Sequence, residues 1–375
     1  LDENAIHLSF TVGEEFSTIQ LSTLRDDWQT GLSLLKEVMS QPAFDAGAIR
    51  VVKNQAVTNL RRQGENAQSV AMREAKIWHF NGHPYGRDPL LGIDTIPKIN
   101  ASDLRIFLDT HFVPANMVVT VSGDISDNEV QADIRNLLQA MPDTPPPQRQ
   151  LDNPPQTPPV LALIHKPGLV QSQVILAAPS VKRTHPDFWK IRLLMDLFGG
   201  NDSLMYTRLR DDLGLVYSAG FFQTYKWQAG MLLGYIGCKA DSTPTAISET
   251  VKIMQSLQRD VPDFELERKR MEALNGFVFN VDNPKDLVTT YGMYHLRNEP
   301  LDTLDKIQEA YLRTTPEKAV ALARDHLVPG RLQIFVVADK TTPVQRTNVG
   351  VNTLGADLKV LAKKLGLPFR EIALR

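Results

Sequence analysis

The hydrophobic and polar positions of the first 140 residues follow two periods, which predict strands and helices in the same segment. Apolar residues at every second position predict strands, and apolar residues three or four positions apart predict helices. The predicted strands cover residues 6–12, 17–24 and 117–122. The predicted helices cover 27–40, 45–63, 67–80, 102–112 and 127–140. This order favours an α+β arrangement, in which helices pack on one face of a sheet.

The second half of the chain repeats the mixture of periods after a proline-rich stretch. Residues 141–159 contain eight prolines in nineteen positions, which excludes helix and central strand and predicts an extended linker. The strands predicted beyond it cover residues 160–165, 173–178, 216–222, 230–237 and 332–337. The helices cover 186–197, 203–213, 243–258, 263–280, 284–296, 315–327 and 354–365.

The two halves also share a sequence pattern at a constant distance. His111 begins His-Phe-Val-Pro ahead of an apolar stretch that ends at Asp124. His326 begins His-Leu-Val-Pro ahead of another apolar stretch, which ends at Asp339. The two histidines are separated by 215 residues, and so are the two aspartates. A constant offset with the same order of helices predicts a tandem duplication.

The duplication predicts two homologous α+β domains, each with a mostly antiparallel sheet and helices packed on one face. The offset also predicts that the first repeat lacks roughly 55 residues at its start. Since residue 1 is Leu rather than Met, we expect the natural start to lie upstream. The predicted organisation is an incomplete and inactive first repeat at 1–140, the linker at 141–159 and the second repeat at 160–375.

Composition narrows the class of protein without selecting an activity. Hydrophobic residues make up 42% and charged residues 22% of the 375 positions, as in ordinary globular proteins. A net charge of −2 gives no reason to expect nucleic acid as a partner, and no apolar run approaches the roughly 20 residues of a membrane span. The single cysteine, Cys238, excludes an internal disulfide and a cysteine-based metal site. It leaves the compartment open, with the periplasm favoured over the cytoplasm.

Candidate chemistry lies at the predicted helix–glycine–strand corner of residues 199–222. After Gly-Gly, Asn201 or Asp202 is placed to cap the helix at 203–213, and Gly214 is placed to end it. Arg210 lies near the end of this helix and Tyr217 near the start of the strand, seven residues later. Ordinary structure explains both residues, because a late arginine complements the helix dipole and tyrosine is common in strands.

The wider phrase around the corner suggests a functional role for both residues. Gly-Gly, Leu-Arg and Gly-Leu-Val-Tyr-Ser together resemble the C-terminal half of the pitrilysin/insulinase-type zinc peptidases, which include the mitochondrial processing peptidase. In that family an arginine and a tyrosine at this separation bind the substrate backbone opposite the zinc. The resemblance therefore implies substrate binding and transition-state stabilisation for Arg210 and Tyr217. The phrase Gly-His-Pro-Tyr-Gly at 82–86 resembles a loop of the family's first domain.

The zinc motif of that family, His-x-x-Glu-His, does not occur in residues 1–375. His79 and His83 are four residues apart, a spacing that chelates metal on one helix, but Asn81-Gly82 and Pro84 interrupt the helix there. The remaining histidines form no such motif: they are His7, His111, His165, His185, His295 and His326.

The third zinc ligand of the family is a glutamate in the helix before the Gly-His-Pro-Tyr loop. The corresponding stretch, residues 49–62, has no acidic residue, and Thr58 or Asn59 stands where the glutamate belongs. Neutral side chains of this kind are poor zinc ligands. We therefore expect no metal and no cofactor in this chain, and the resemblance implies zinc on a partner subunit.

Three functional hypotheses follow from the resemblance. The first is a subunit of a zinc metalloendopeptidase that supplies Arg210 and Tyr217 to a peptide substrate, opposite a zinc-bearing homologous partner in a heterodimer or through self-association. The second is a catalytically silent scaffold of the same fold, like the core subunits of the respiratory cytochrome complex. The third is a complete zinc peptidase that lacks its N-terminal segment here.

Overall fold

The computed structural model describes residues 5–147, 151–277, 279, 282–346 and 350–374. Its strands are β1 (His7–Val12), β2 (Ser17–Ser22), β3 (Val160–His165), β4 (Gln171–Ser180), β5 (Val216–Tyr225), β6 (Gly230–Lys239), β7 (Gln333–Ala338), β8 (Pro343–Arg346), β9 (Gly350–Thr353) and β10 (Phe369–Ile372). Its helices are α1 (Trp28–Ser40), α2 (Ala46–Glu65), α3 (Ala67–His79), α4 (Gly92–Thr95), α5 (Ala101–His111), α6 (Asp127–Leu138), α7 (Phe188–Gly199), α8 (Leu204–Tyr206), α9 (Thr243–Leu257), α10 (Asp263–Phe277), α11 (Pro284–Leu296), α12 (Thr303–Leu312), α13 (Pro316–His326) and α14 (Leu354–Leu365). None of these helices has both the length and the apolar character needed to cross a membrane.

The chain divides into two compact units, each assembled from several segments. One passage between the units, from Leu151 to Asp152, lies inside the predicted linker, of which residues 148–150 fall outside the described part. Unit 1 contains Leu1–Asn59, Leu91–Leu151 and Gly276–Thr303, and unit 2 contains Leu60–Leu90, Asp152–Asn275 and Leu304–Arg375. The tandem duplication stays a prediction.

Unit 1 contains a β-hairpin and helices that are linked to one another by polar contacts. Strands β1 and β2 pair antiparallel, and α1 is linked to α6 by a hydrogen bond from Trp28 Nε1 to Asp133 Oδ2 of 2.7 Å. The strand predicted at 117–122 is wrong, because these residues form no strand. A strand needs a hydrogen-bonded neighbour, and no described strand pairs with this segment, in which Val118 and Val119 remain partly exposed.

Unit 2 is organised on a six-stranded sheet in the order β10-β3-β7-β4-β6-β5. The pairs β7–β4, β4–β6 and β6–β5 are antiparallel, whereas β10–β3 and β3–β7 are parallel. The predicted α+β class with a mostly antiparallel sheet is confirmed. Strand β5, which contains Tyr217, lies at one edge, and its outer side has no strand partner among the described residues.

Helices cover both faces of this sheet. Alternate residues of β3 point to opposite faces, and every residue of the strand except His165 is fully buried. Val160, Ala162 and Ile164 belong to a core cluster with Val70 and Ala71 of α3. The other face is covered by α7, α9, α13 and α14. In addition to the predicted helices on one face, a helix from the first half of the sequence therefore completes the core.

The proline-rich segment is extended where it is described, and its second part is bound to unit 2. Gln333 Nε2 donates to Thr157 Oγ1 at 2.8 Å, and Thr157 Oγ1 donates to the backbone oxygen of His79 at 3.3 Å. The Oε1 atom of Gln333 therefore faces His79, whose Nδ1–H donates to it at 2.9 Å. Since His79 and Gln333 are both buried, this closed network satisfies polar groups that would otherwise weaken the core.

Gly199, at the end of α7, lies so close to β5 that no larger residue fits. A Cβ atom there would lie 2.5 Å from the backbone nitrogen of Phe221 and 2.6 Å from its Cα. We therefore expect Gly199→Ala to destabilise the protein by about 1–3 kcal/mol, the usual cost of overpacking. Urea denaturation measures the change. Gly330→Ala is the control, because a Cβ at Gly330 meets no atom within 4 Å; equal midpoints for the two variants would contradict the close packing.

The His79 network predicts loss of stability at acid pH. Burial lowers the pKa of His79 below its ordinary value of 6.5, against the smaller opposing effect of the hydrogen bond with Gln333. The unfolded chain then binds the proton more tightly, so stability is full above pH 6.5 and falls as the pH drops below it. Urea midpoints at pH 7.5 and 5.5 should show a smaller drop for His79→Gln than for the wild type.

Burial also lowers the pKa of His326, so only the difference in this drop between the wild type and His79→Gln is diagnostic. Replacement of the exposed His111 by Gln should leave the drop unchanged; a similar effect there would refute the assignment to His79.

Candidate functional site

The corner begins with a short α-helix that widens into a π-helix. The Ser203 side chain accepts a hydrogen bond from the Tyr206 backbone nitrogen at 3.2 Å and caps α8. The predicted cap at Asn201 or Asp202 is therefore wrong by one or two residues. After α8 the chain forms a π-helix at Thr207–Asp212, where a regular α-helix was predicted. Such wide turns are uncommon and occur often at functional sites.

The π-helix ends at the predicted glycine. Gly214 has φ of +60°, a left-handed conformation that glycine adopts without strain. The Gly214 nitrogen donates to the Arg210 oxygen at 3.0 Å, and the Leu215 nitrogen donates to the Leu209 oxygen at 2.8 Å. The second bond spans six residues, which matches a turn wider than that of an α-helix. The chain is then directed into β5.

Tyr217 lies at an irregularity in the strand that follows. The register of β5 against β6 shifts between Val216 and Ser218, so Tyr217 is the extra residue of a bulge. Bulges redirect side chains and are common beside active sites. Val216 is buried, while the Tyr217 side chain is 50% exposed. The bulge therefore accounts for a tyrosine that faces outward at the edge of the sheet.

Arg210 connects the π-helix to this bulge. Its Nη1 atom donates to the backbone oxygen of Tyr217 at 2.5 Å, and its guanidinium carbon lies 5.4 Å from the centre of the Tyr206 ring. The guanidinium of Arg210 thus contacts Tyr217 through the backbone of that residue. Among the described residues the other guanidinium N–H groups of Arg210 have no hydrogen-bond partner, and the side chain is exposed. These groups can donate to an incoming ligand.

Tyr206 is the residue of the site that the sequence reasoning missed. It lies four residues before Arg210, and residues four apart on a helix are neighbours. An aromatic ring in that position supports a guanidinium through a cation–π contact. That spacing was the available signal, but a tyrosine in a helix is too common to single out by itself.

Buried contacts fix the corner to unit 2. Met205 and Leu209 are fully buried, and the Phe198 and Phe221 rings make an edge-on contact with centroids 5.0 Å apart. Arg208 donates to Glu249 of α9 at 3.3 Å. The pKa of Glu249 is lowered first by its hydrogen bond from Lys252 and also by Arg208. The backbone that positions Arg210 and Tyr217 is therefore anchored on one side by apolar packing and on another by charge.

The residues at the expected zinc positions do not fit that metal. Both ring nitrogens of His83 are engaged, Nδ1 by the Tyr85 nitrogen at 3.2 Å and Nε2 by the Asp152 oxygen at 3.0 Å. Asn59, on α2, accepts a hydrogen bond from Gln55 at 3.0 Å. Within the described residues no group of three or more His, Cys, Asp or Glu side chains could hold a metal ion.

Comparison with known structures places the fold among the peptidase M16 inactive domains. A structure of such a domain from Pseudomonas fluorescens superposes with a TM-score of 0.84 at 21% identity, over 92% of this chain and 83% of that one. A chain of Complex III2 from Candida albicans superposes with a TM-score of 0.74 at 12% identity, over 95% and 86%. At these identities the two likenesses show the fold alone.

Comparison of sequences gives the family. An uncharacterized zinc protease of Streptomyces coelicolor is 23% identical over 259 residues, which are 66% of this chain and 56% of that protein. The chain thus spans little more than half of this relative. The Helicobacter pylori non-peptidase homolog YmxG is 23% identical over 304 residues, or 79% of this chain and 69% of that protein. The family model described as the peptidase M16 inactive domain matches residues 98–272. The matched segment, the relatives and the fold thus agree in their similarity to the peptidase M16 inactive domain.

Proposed function

We propose that this chain is the non-zinc subunit of an M16-type metalloendopeptidase and that Arg210 and Tyr217 bind the substrate peptide. The observation that carries the proposal is the 2.5 Å hydrogen bond from Arg210 Nη1 to the Tyr217 backbone oxygen. It holds the guanidinium beside the bulge while the Tyr217 side chain stays half exposed. A chain that needed these residues only for folding would have no reason to leave both polar ends outside the core.

The position of the pair at the edge of the sheet suits an extended peptide. Tyr217 lies at the start of β5, whose outer side has no strand partner in the described part. Exposed strand edges recognise extended peptides through their main chain, independently of most side chains. Backbone recognition is what a peptidase subunit with several substrates requires.

The two side chains supply different interactions. The Tyr217 hydroxyl would donate a hydrogen bond to a substrate carbonyl oxygen, and most strongly to one that develops negative charge. The remaining N–H groups of Arg210 would donate to a neighbouring carbonyl and hold the peptide extended. Tyr206 would keep the guanidinium in place, since it touches Arg210 rather than the substrate. Each group in this scheme donates, and none has to accept a proton.

The rest of the catalytic machinery would come from a homologous partner. The part of the chain that the structure describes offers no donor set for zinc. We therefore propose that the zinc ion and its activated water belong to the partner subunit of a heterodimer, or of a self-associated form. One relative, from Arabidopsis thaliana, is described as a probable subunit beta of the mitochondrial-processing peptidase, which supports a role as a subunit. The expected periplasmic location stays a prediction.

A silent scaffold is the second candidate, and two comparisons favour it. The Helicobacter pylori relative is described as a non-peptidase homolog, and one structural neighbour is a chain of Complex III2. A scaffold needs no exposed Arg/Tyr pair, so the corner favours the peptidase subunit. Loss of the Tyr217 hydroxyl should lower turnover if the chain is a peptidase subunit and leave turnover unchanged if it is a scaffold.

The first test measures how much the Tyr217 hydroxyl contributes to turnover. Tyr217→Phe keeps the ring and the backbone oxygen that Arg210 contacts, so folding and assembly should survive. If the hydroxyl serves the transition state, kcat should fall by about 10²–10³-fold, as for the loss of one oxyanion donor. The assay is cleavage of a fluorogenic peptide by this chain mixed with an M16 subunit of the same genome that contains His-x-x-Glu-His. Unchanged turnover with the complex intact would favour the scaffold.

Arg210 should affect binding as well as chemistry. Arg210→Ala removes a charge-assisted donor and should raise KM in the same assay, and Arg210→Lys should rescue poorly because an ammonium lacks the planar fork. Arg208→Lys is a control two residues away, in the same π-helix. A full rescue by lysine at 210 would show that only charge is needed there.

The zinc content of the purified chain can be measured directly. We expect the purified chain to bind no stoichiometric zinc after mild dialysis, because the stretch 49–62 has no acidic residue and both nitrogens of His83 are engaged. Elemental analysis decides the matter. One tightly held zinc per chain would refute the assignment and favour the complete-peptidase hypothesis.

A further inference from the structure

A small cationic cavity lies in unit 2 and contains neither residue of the Arg/Tyr pair. Helix α3 and the segment 87–90 enclose about 340 Å³. Three cationic side chains line the cavity, Arg73, Lys76 and Arg87, and none of its lining residues is acidic. Gln68 and Ser69 also line it, in the first turn of α3, where the helix dipole adds partial positive charge. The cavity therefore favours an anion.

The unusual member of this group is Arg73. Its side chain is only 5% exposed, and its Nη2 atom donates to Glu74 at 2.8 Å. Asp88 approaches Nε no closer than 3.9 Å, and neither Nε nor Nη1 has a hydrogen-bond partner in the described part of the chain. Buried donors without partners are rare and cost free energy. Because Glu74 and Asp88 offset the charge of Arg73, the net positive charge at the cavity comes from Lys76 and Arg87, and Arg73 contributes two buried donors without partners.

The other residues that line the cavity favour a ligand with an apolar part as well as a charge. Met72, Pro89 and Leu90 add apolar surface to the same cavity. A volume of about 340 Å³ is at the small end for ligand sites, which are mostly apolar with a few polar groups that fix orientation. An inorganic anion would leave the apolar surface uncovered. A carboxylate attached to a short apolar group would match both parts.

We propose that this cavity binds a carboxylate with a small apolar side group. Lys76 and Arg87 would contact the carboxylate, beside the donors of Arg73 that lack partners. Met72 and Leu90 would contact the apolar group. Two sources have this chemistry, a free apolar acid and the C-terminal residue of a peptide. The site is separate from the one under Proposed function and does not depend on it.

The test uses a neutral ligand of matched shape. Acetyl-leucine and acetyl-leucinamide have nearly the same shape, but the first has a carboxylate where the second has a neutral amide. The methyl signal of ¹³C-labelled Met72 reports occupancy at the cavity. We expect a saturable shift with acetyl-leucine and at least tenfold weaker binding of the amide. A pentapeptide with a free C-terminal leucine, compared with its amidated form, distinguishes the two sources. Tighter binding of the free peptide than of acetyl-leucine assigns the site to a C-terminus, and the reverse assigns it to a free acid.

Substitution of the cationic lining residues tests whether they bind the carboxylate. Arg87→Gln and Lys76→Gln each remove one cation from the partly exposed rim and should weaken acetyl-leucine binding by about tenfold, as for a lost charge-assisted hydrogen bond. Lys364→Gln, on α14 outside the lining, removes the same charge and should leave binding unchanged. The proposal is overturned if the acid and the amide bind equally, if the Met72 signal does not move, or if all three variants behave alike.

Discussion

The hydrogen bond from Arg210 to the backbone oxygen of Tyr217 is the contact on which the functional corner depends. It joins the side chain of Arg210 in the π-helix to the backbone of the β-bulge. The Tyr206 ring supports the same guanidinium from another direction. Because the bond ends on a backbone atom, the phenol remains available to a ligand. One interaction thus positions both groups and leaves their polar ends accessible.

Packing makes that corner rigid. Gly199 lets α7 approach the backbone of Phe221, and the Phe198–Phe221 contact fixes the helix on β5. On the other face, α3 completes the core of a sheet that is formed by the second half of the sequence. The buried His79–Gln333–Thr157 network ties α3, the sheet and the proline-rich segment together. Unit 2 is therefore a platform assembled from distant segments, and its edge carries the Arg/Tyr pair.

Local rules of sequence predicted most elements of unit 2 and the position of the corner. Gly214 ends the helix as predicted and has positive φ, and the apolar run at 160–164 lies in a strand with the expected bounds. Local rules do not show which partners are available. Residues 117–122 have the period of a strand, but no described strand pairs with them. The local sequence of α3 also does not indicate that this helix packs on the sheet. The π-helix was also missed, although Leu204 and Leu209 are five residues apart, a spacing that suits a wider turn.

The central claim is that Arg210 and Tyr217 bind an extended peptide, and binding to the isolated chain tests it without any partner. Fluorescence anisotropy of a labelled, unstructured peptide can compare the wild type with Arg210→Gln and with Arg370→Gln, which removes the same charge from β10 at the opposite edge of the sheet. The account predicts a dissociation constant about tenfold weaker for Arg210→Gln, as expected for loss of a charge-assisted hydrogen bond, and little change for Arg370→Gln. Equal affinities for the two variants would contradict it.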